Sequence, residues 1–254
     1  MPELTVGVIG VGHFGTALIK GMLSHSNQVQ ILLTERDSPK LIADEYHHRI
    51  SGSSVMGIGD IESLKKKSDV VILCVRPQNM DEVMENLIDY DGLIISFAAG
   101  LPISYYEDIK PDIKLIRAMS NLAIEYGKGV NGWVTNRNCK IADESSYHKI
   151  FNNLGNSFHY KIDQESNLDT ITAISGSGIA YFAQVFDTVK RFGMENGLSD
   201  RNSEIIIQQT VEGIFTLMKK SDFKLNEVVN MVASKGGTTE VGIETMERAG
   251  LRKA

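Results

Sequence analysis

The sequence changes its period once, and that change sets most of what the chain can fold into. From Leu4 to Thr135 short apolar runs alternate with stretches of helical spacing; after about Lys161 the strand-length runs stop and only helical spacing remains. The first part predicts strands at Leu4–Ile9, Val29–Thr34, Val70–Val75, Leu93–Phe97, Lys114–Met119 and Gly129–Thr135, with a weak one at Ser54–Met56. Helices are expected at Phe14–Leu23, Pro39–Tyr46, Ile61–Lys67 and Met80–Leu87. Strands apolar on both faces need cover on both, which points to a parallel sheet between two helical layers. Right-handed crossovers make such a sheet doubly wound. The second part predicts helices at Thr170–Asn196, Asp200–Lys219, Leu225–Ala233 and Thr239–Ala249, broken by Asn196-Gly197, Ser221-Asp222 and Gly236-Gly237. The chain therefore divides into an α/β domain over 1–161 and an all-helical domain over 162–254. The first long helix is apolar nearly all round, through Ile171, Ile174, Ile179, Tyr181, Phe182, Val185, Phe186 and Val189. Such a helix is expected to be buried on all sides. Four helices are too few to do that, so self-association through this domain is expected.

The first strand runs directly into Gly10-Val11-Gly12-His13-Phe14-Gly15, a G-x-G-x-x-G spacing that opens a helix. In that context the spacing marks a dinucleotide-binding, Rossmann-like unit. Gly10 allows the tight turn, Gly12 the approach of a pyrophosphate and Gly15 close helix–strand packing. The helix start supplies N–H donors and the positive end of a dipole. Glu35 follows about twenty residues after the last glycine, where an acid binds a ribose 2′-OH and favours NAD. Arg36 comes next, and Arg suits the 2′-phosphate of NADP; the two residues point to different cofactors. Val75-Arg76-Pro77-Gln78-Asn79 and Ala98-Ala99-Gly100 also leave carboxyl ends of strands, where ligands bind in open α/β sheets, though ordinary turns look the same.

Two further clusters break their surroundings. Thr172-Ala173-Ile174-Ser175-Gly176-Ser177-Gly178 places glycines and serines at the head of the apolar helix. Each interior Gly costs a helix about 1 kcal/mol relative to Ala. Close packing or a ligand against bare backbone can offset that cost. Ser234-Lys235-Gly236-Gly237-Thr238-Thr239 sits between two helices, and glycines with hydroxyls at a helix start make an anion site or simple punctuation.

Composition excludes several classes. A net charge of −6 argues against general nucleic-acid binding. The two cysteines, Cys74 and Cys139, cannot build a disulfide framework, and Cys74 reads as a small buried hydrophobe. The six histidines show no metal spacing. No apolar run reaches the ~20 residues of a membrane span. The chain enters a strand almost at once with no leader, so a cytoplasmic protein without membrane partners is the expectation.

Taken together, the motifs resemble the pyrroline-5-carboxylate reductase family over nearly the whole chain. The resemblance is carried by the glycine loop, Val75-Arg76-Pro77-Gln78, Ser96-Phe97-Ala98-Ala99-Gly100, Arg117-Ala118-Met119-Ser120-Asn121, and above all the clusters at 172–178 and 234–239. It implies hydride transfer from NAD(P)H to the C=N bond of 1-pyrroline-5-carboxylate, giving proline, in a homodimer or larger homo-oligomer. It implies an active site between the cofactor cleft and helices of both subunits. For the cofactor it implies Gly10, Gly12, His13, Phe14, Gly15, Val75, Arg76, Pro77, Asn79, Ala98, Ala99, Gly100 and Asn121, with Arg36 tipping the choice to NADPH while NADH stays possible. For the substrate it implies Ser175, Gly176, Ser177, Ser234, Gly236, Gly237, Thr238 and Thr239, with Ser175 and Thr239 beside the reacting bond. No metal is implied. The chain departs from the family pattern at Arg76, Ser120, Ile179 and Lys235 and stops soon after Leu251. These departures motivate two other readings: a reductase of another cyclic imine or a deazaflavin, or a nucleotide-binding paralogue without catalysis.

Overall fold

The computed structural model describes residues 4–25, 29–34, 55–152 and 154–251. Glu35, Arg36, the helix expected at Pro39–Tyr46 and the His47-His48 pair lie outside them. The chain splits into two compact units, Met1–Ala180 and Tyr181–Ala254.

The first unit holds an eight-stranded sheet. In chain order its strands are β1 (Leu4–Ile9), β2 (Val29–Thr34), β3 (Val55–Gly57), β4 (Val70–Leu73), β5 (Leu93–Ser96), β6 (Lys114–Met119), β7 (Val130–Thr135) and β8 (Phe158–Lys161). The spatial order is β3-β2-β1-β4-β5-β6-β7-β8. All pairs are parallel from β3 to β6. Because side chains alternate along a strand, each strand feeds two cores. Val6, Val8, Leu33, Ile72, Ile95 and Ile116 pack on one face with Leu18 and Met22 of α1 (His13–His25). Ile9, Leu32, Leu73, Ile94 and Leu115 pack on the other, with Leu64 of α2 (Ile61–Lys65), Met84 of α3 (Met80–Asn86) and Tyr106 of α4 (Ile103–Ile109). The registers put Thr34, Ile9, Leu73, Ser96 and Arg117 in one row across five strands. That row is the carboxyl edge from which the site loops leave.

The sheet is not parallel throughout. β7 runs antiparallel to β6. Only a short 3-10 turn, Leu122–Tyr126, and Gly127 at φ 64° join them, and so short a link cannot carry a crossover. Three elements escape the sequence pattern: α4, α5 (Ile141–Phe151) and β8. α5 buries only Tyr147, Ile150 and Phe151, too few to imprint a clear helical period.

On β8 the half-buried His159 faces Asn131 of β7, with Nδ1 and Nδ2 3.3 Å apart. Burial, then His148, depresses its pKa below 6.5. The folded state therefore binds fewer protons than the unfolded state below that value, so stability falls as pH drops through 6.5. Melting temperatures at pH 7 and pH 5 will show a drop that shrinks in His159→Gln; an equal drop in both proteins would remove His159 as a cause.

The chain then passes through α6 (Ser166–Ile171) and a π-turn (Thr172–Gly176) into α7 (Gly178–Glu195). The single helix expected over Thr170–Asn196 is thus interrupted by one π-turn. The second unit contains most of α7 with α8 (Asp200–Ser221), α9 (Leu225–Val232) and α10 (Thr238–Arg248). α7 and α8 meet where Gly193 lacks a side chain: a Cβ there would lie 3.0 Å from Ser203 Oγ. Lys190 bridges Asp200 at 2.9 Å and Glu204 at 3.0 Å. The expectation that the first long helix is buried on all sides fails within one protomer. On α7 only Gly178 is buried, while Phe182 is 60% exposed and Phe192 67%. A hollow of about 550 Å³ lined by Phe186, Val211 and Phe215 lies between α7 and α8. Among the described residues no helix is long and apolar enough to cross a membrane.

Candidate active site

β1 ends at Ile9, and Gly10 turns the chain with φ 93°, a conformation that needs glycine. Its N–H donates to the Thr34 carbonyl at 3.1 Å, fixing the loop to β2. A Cβ on Gly15 would lie 2.2 Å from the Gly10 carbonyl, so α1 sits directly on the turn. A Cβ on Gly12 would meet nothing within 4 Å. The loop thus leaves bare backbone facing open space at the start of a helix, the arrangement an anionic pyrophosphate needs. Gly10, Gly15, His13 and Phe14 are brought together here with Gly12.

The neighbouring loops close around it. Cys74 N–H donates to the Ile9 carbonyl at 2.8 Å, carrying the β1–β4 ladder past the end of β4. Arg76 is extended (ψ 149°), as a residue before proline should be, and Pro77–Asn79 form a 3-10 turn. Ile9, Gly10, Thr34, Asp60, Val75 and Asn79 line a hollow of about 330 Å³ on this side. After β5, Ala98 N–H donates to Ser96 Oγ at 3.3 Å, and that hydroxyl pairs with the Tyr106 phenol at 2.7 Å. Burial pushes the phenol up to about 12, so it stays a neutral hydrogen-bonding anchor. Ala99 lines a second hollow of about 280 Å³ with Phe14, Cys74, Phe97, Asn121 and Gly176; Met119, Ser120, Leu122 and Thr172 complete it. The two hollows flank the β1–β4 switch point, where dinucleotides lie in this architecture.

Sequence reasoning missed Cys74, Phe97, Met119, Ser120 and Thr172 as wall residues. Cys74 serves both the core and the wall. It lies just past β4, partly buried, packed against the core as a small hydrophobe while also lining the hollow. Burial raises its thiol, so it is an inert wall.

The π-turn is held over this edge by charge. Arg117, buried at the end of β6, donates from Nη1 to Glu165 at 2.7 Å and from Nη2 to Asp169 at 2.9 Å. Glu165 also accepts the Ile103 N–H at 2.7 Å, capping the start of α4. These bonds seat α6, and the turn after it brings Ser175 Oγ within 2.8 Å of Asn121 Nδ2. A Cβ on Gly176 would lie 3.7 Å from the Met119 sulfur, so this glycine stands at the hollow's wall.

In the second unit, Ser234–Gly237 form a loop before α10, with Gly236 at φ 77°. Gly236 N–H donates to Glu240 at 2.7 Å and Gly237 N–H to the Ser234 carbonyl at 2.9 Å. The N–H groups of Thr238, Thr239 and Glu240 then head the helix without intrahelical acceptors.

Two family models match the chain. One, described as NADP oxidoreductase coenzyme F420-dependent, matches 5–100; the other, pyrroline-5-carboxylate reductase dimerisation, matches 165–254. A pyrroline-5-carboxylate reductase of Aquifex aeolicus is 30% identical over 98% of this chain and 91% of its own length. This chain belongs to the pyrroline-5-carboxylate reductase family. A reductase of that name from Methanosarcina acetivorans is 28% identical over 100% of this chain and 93% of its own. The Plasmodium falciparum pyrroline carboxylate reductase, whose crystal structure has NADP bound, superposes with a TM-score of 0.87 at 26% identity, covering 99% of this chain and 92% of that one. Within the family frame the departures can be placed. Ser120 is buried with an unpartnered hydroxyl, Ile179 is 42% exposed on α7, and Arg76 and Lys235 are at the surface.

Proposed function

We propose that this chain reduces 1-pyrroline-5-carboxylate to proline, with NADPH as reductant. The observation that carries the reading is an open glycine loop and a serine-bearing π-turn at the same carboxyl edge of one sheet. The residues fit a dinucleotide: the backbone at Gly12 is bare, and hollows flank the switch point on both sides. Gly10, Gly12, His13, Phe14 and Gly15 hold the pyrophosphate; Val75–Asn79, Ala98–Gly100 and Asn121 border the ribose and nicotinamide. Arg36 takes the 2′-phosphate by family resemblance. When bound, the reduced dinucleotide supplies the hydride for the carbon of the C=N bond.

The chain's own residues bind and orient. By family resemblance Ser175, Gly176 and Ser177 are assigned to the substrate, and so is the run Ser234 to Thr239. Because the Gly236 and Gly237 N–H groups are occupied within the loop, the carboxylate is assigned to the N–H groups of Thr238, Thr239 and Glu240. The Thr239 hydroxyl bonds the ring nitrogen, donating to a neutral imine whose added proton then comes from solvent, or accepting from the N–H of an iminium form that binds already protonated. Holding the imine in reach supplies most of the acceleration, since positioning confers very large effective molarities. The substrate and dimer-forming functions belong to 162–254 and nucleotide binding to 1–161, in a cytoplasmic homodimer.

The test is loss of NADPH absorbance with appearance of proline from pyrroline-5-carboxylate. No turnover above a heat-killed control sinks the reading; the same kinetics with NADH rank the two cofactors. Thr239→Ala is expected to lower turnover about ten- to a hundredfold, the worth of one hydrogen bond to a charged or charging group, with NADPH affinity nearly unchanged. Unaltered turnover would take Thr239 out of its role. The N-terminal family description favours one competitor, a deazaflavin reductase. Turnover of a deazaflavin exceeding that of the cyclic imine would install it.

A further inference from the structure

The bond between Asn121 and Ser175 joins residues 54 positions apart, and its polarity is fixed. Ala123 N–H donates to Asn121 Oδ1 at 3.1 Å. A backbone N–H can only donate, so the amide oxygen faces Ala123 and the NH2 group faces Ser175. Ser175 Oγ is therefore the acceptor, and its own proton points elsewhere. Threonine hydroxyls before and after it spend theirs on the preceding helical turn: Thr172 donates to the Leu168 carbonyl at 2.8 Å and, further along the helix, Thr188 to that of Gln184 at 2.9 Å. Ser175, inside the π-turn, makes no such bond and is half-buried, with no second partner among the described residues. Its neighbours Thr172 and Gly176 line the 280 Å³ hollow together with Asn121.

We propose that Asn121 is a positioning residue. It occupies the Ser175 lone pair that faces β6, and so delivers the Ser175 hydroxyl proton to an acceptor oxygen of the bound reactants. That oxygen is the substrate carboxylate or the carboxamide of the nicotinamide. The assignment rests on the reductase reading above. The π-turn is then functional: it takes Ser175 out of the register in which its proton would return to the helix.

Asn121→Asp tests this. The carboxylate still accepts the Ala123 N–H, so the local cap survives. Its other oxygen cannot donate, so Ser175 must turn its proton towards it. Four proteins are compared: wild type, Asn121→Asp, Ser175→Ala and the double variant. The readouts are melting temperature, kcat and KM for pyrroline-5-carboxylate, and NADPH Kd by fluorescence titration. Asn121→Asp keeps hydrogen bonds from Ala123 N–H and the Ser175 hydroxyl and is expected to stay folded with a modestly lowered melting temperature, and with one binding constant weakened about ten- to a hundredfold. A raised KM with unchanged Kd identifies the substrate carboxylate as acceptor; a raised NADPH Kd identifies the carboxamide. Ser175→Ala should cause a similar loss in the wild-type background and none in Asn121→Asp. The proposal is overturned if neither constant moves. It is also overturned if Ser175→Ala causes the same loss in both backgrounds, as it would if the new charge by itself were responsible. A wild-type chain inactive on pyrroline-5-carboxylate would sink the functional reading, and the NADPH arm would then decide this one.

Discussion

Gly15→Ala is expected to unfold the nucleotide loop, while Gly12→Ala, three residues earlier, leaves the fold intact and empties it of cofactor. The added Cβ at Gly15 would lie 2.2 Å from the Gly10 carbonyl and 3.3 Å from Cys74 Cβ. The first obstacle is backbone, so α1 must move off the sheet to relieve it. Overpacking of this kind costs roughly 3 kcal/mol or more in a dense interior. A loss of that size lowers the melting temperature of the first unit by roughly 5 °C or more. At Gly12 the same atom projects into open space and φ is not positive, so stability should stay within about 0.5 kcal/mol. The open space is where a pyrophosphate approaches, and a methyl group there should weaken NADPH binding at least about tenfold. Thermal melts and NADPH titrations of both variants decide the matter. A Gly12→Ala protein with wild-type affinity would show that no phosphate lies against this loop. A Gly15→Ala protein with wild-type stability would show that α1 is not seated as described.

The contrast between these glycines also marks what a sequence can and cannot carry. Gly10, Gly12 and Gly15 were legible because their spacing is local and each role follows from one turn. The strands were legible for a related reason: Val70–Leu73 and Leu93–Ser96 are apolar on both faces, and only a doubly covered sheet tolerates that. β8 was not legible, because Phe158, His159, Tyr160 and Lys161 form an edge strand whose aromatic residues stay exposed. The reversal of β7 was hidden in a turn too short for a crossover. In the site, the hydroxyls and glycines of 172–178 stood out as misfits in an apolar helix, but their meaning did not. The salt bridges from Arg117 to Glu165 and Asp169 span about fifty residues, as does the Asn121–Ser175 bond, and no local pattern encodes such pairings. Glu35 and Arg36 point to opposite cofactors in the sequence and lie outside the described residues, so NADPH rests on the family.

Val185→Asp is expected to leave the chain monomeric at micromolar concentration, with its helical content unchanged. Phe182, Val185, Val189 and Phe192 follow one another at alternating steps of three and four residues, the spacing of a seam that faces another helix. All four are exposed in the protomer, Val185 at 44% and Val189 at 54%. A soluble chain rarely leaves so continuous an apolar stripe in water, and the dimerisation family match covers the same helix. A carboxylate in the middle of a seam must be desolvated without a partner, a penalty of several kcal/mol. In a two-fold assembly each substitution occurs twice across the interface, so the penalty doubles. Sedimentation velocity of wild type and variant at equal concentration measures the outcome, with circular dichroism confirming that the helices persist. A Val185→Asp chain that sediments like wild type would mean that α7 does not face its partner. Turnover then discriminates further. If the active site needs helices from both subunits, the monomer loses reduction while keeping NADPH affinity, because the glycine loop lies wholly within one protomer.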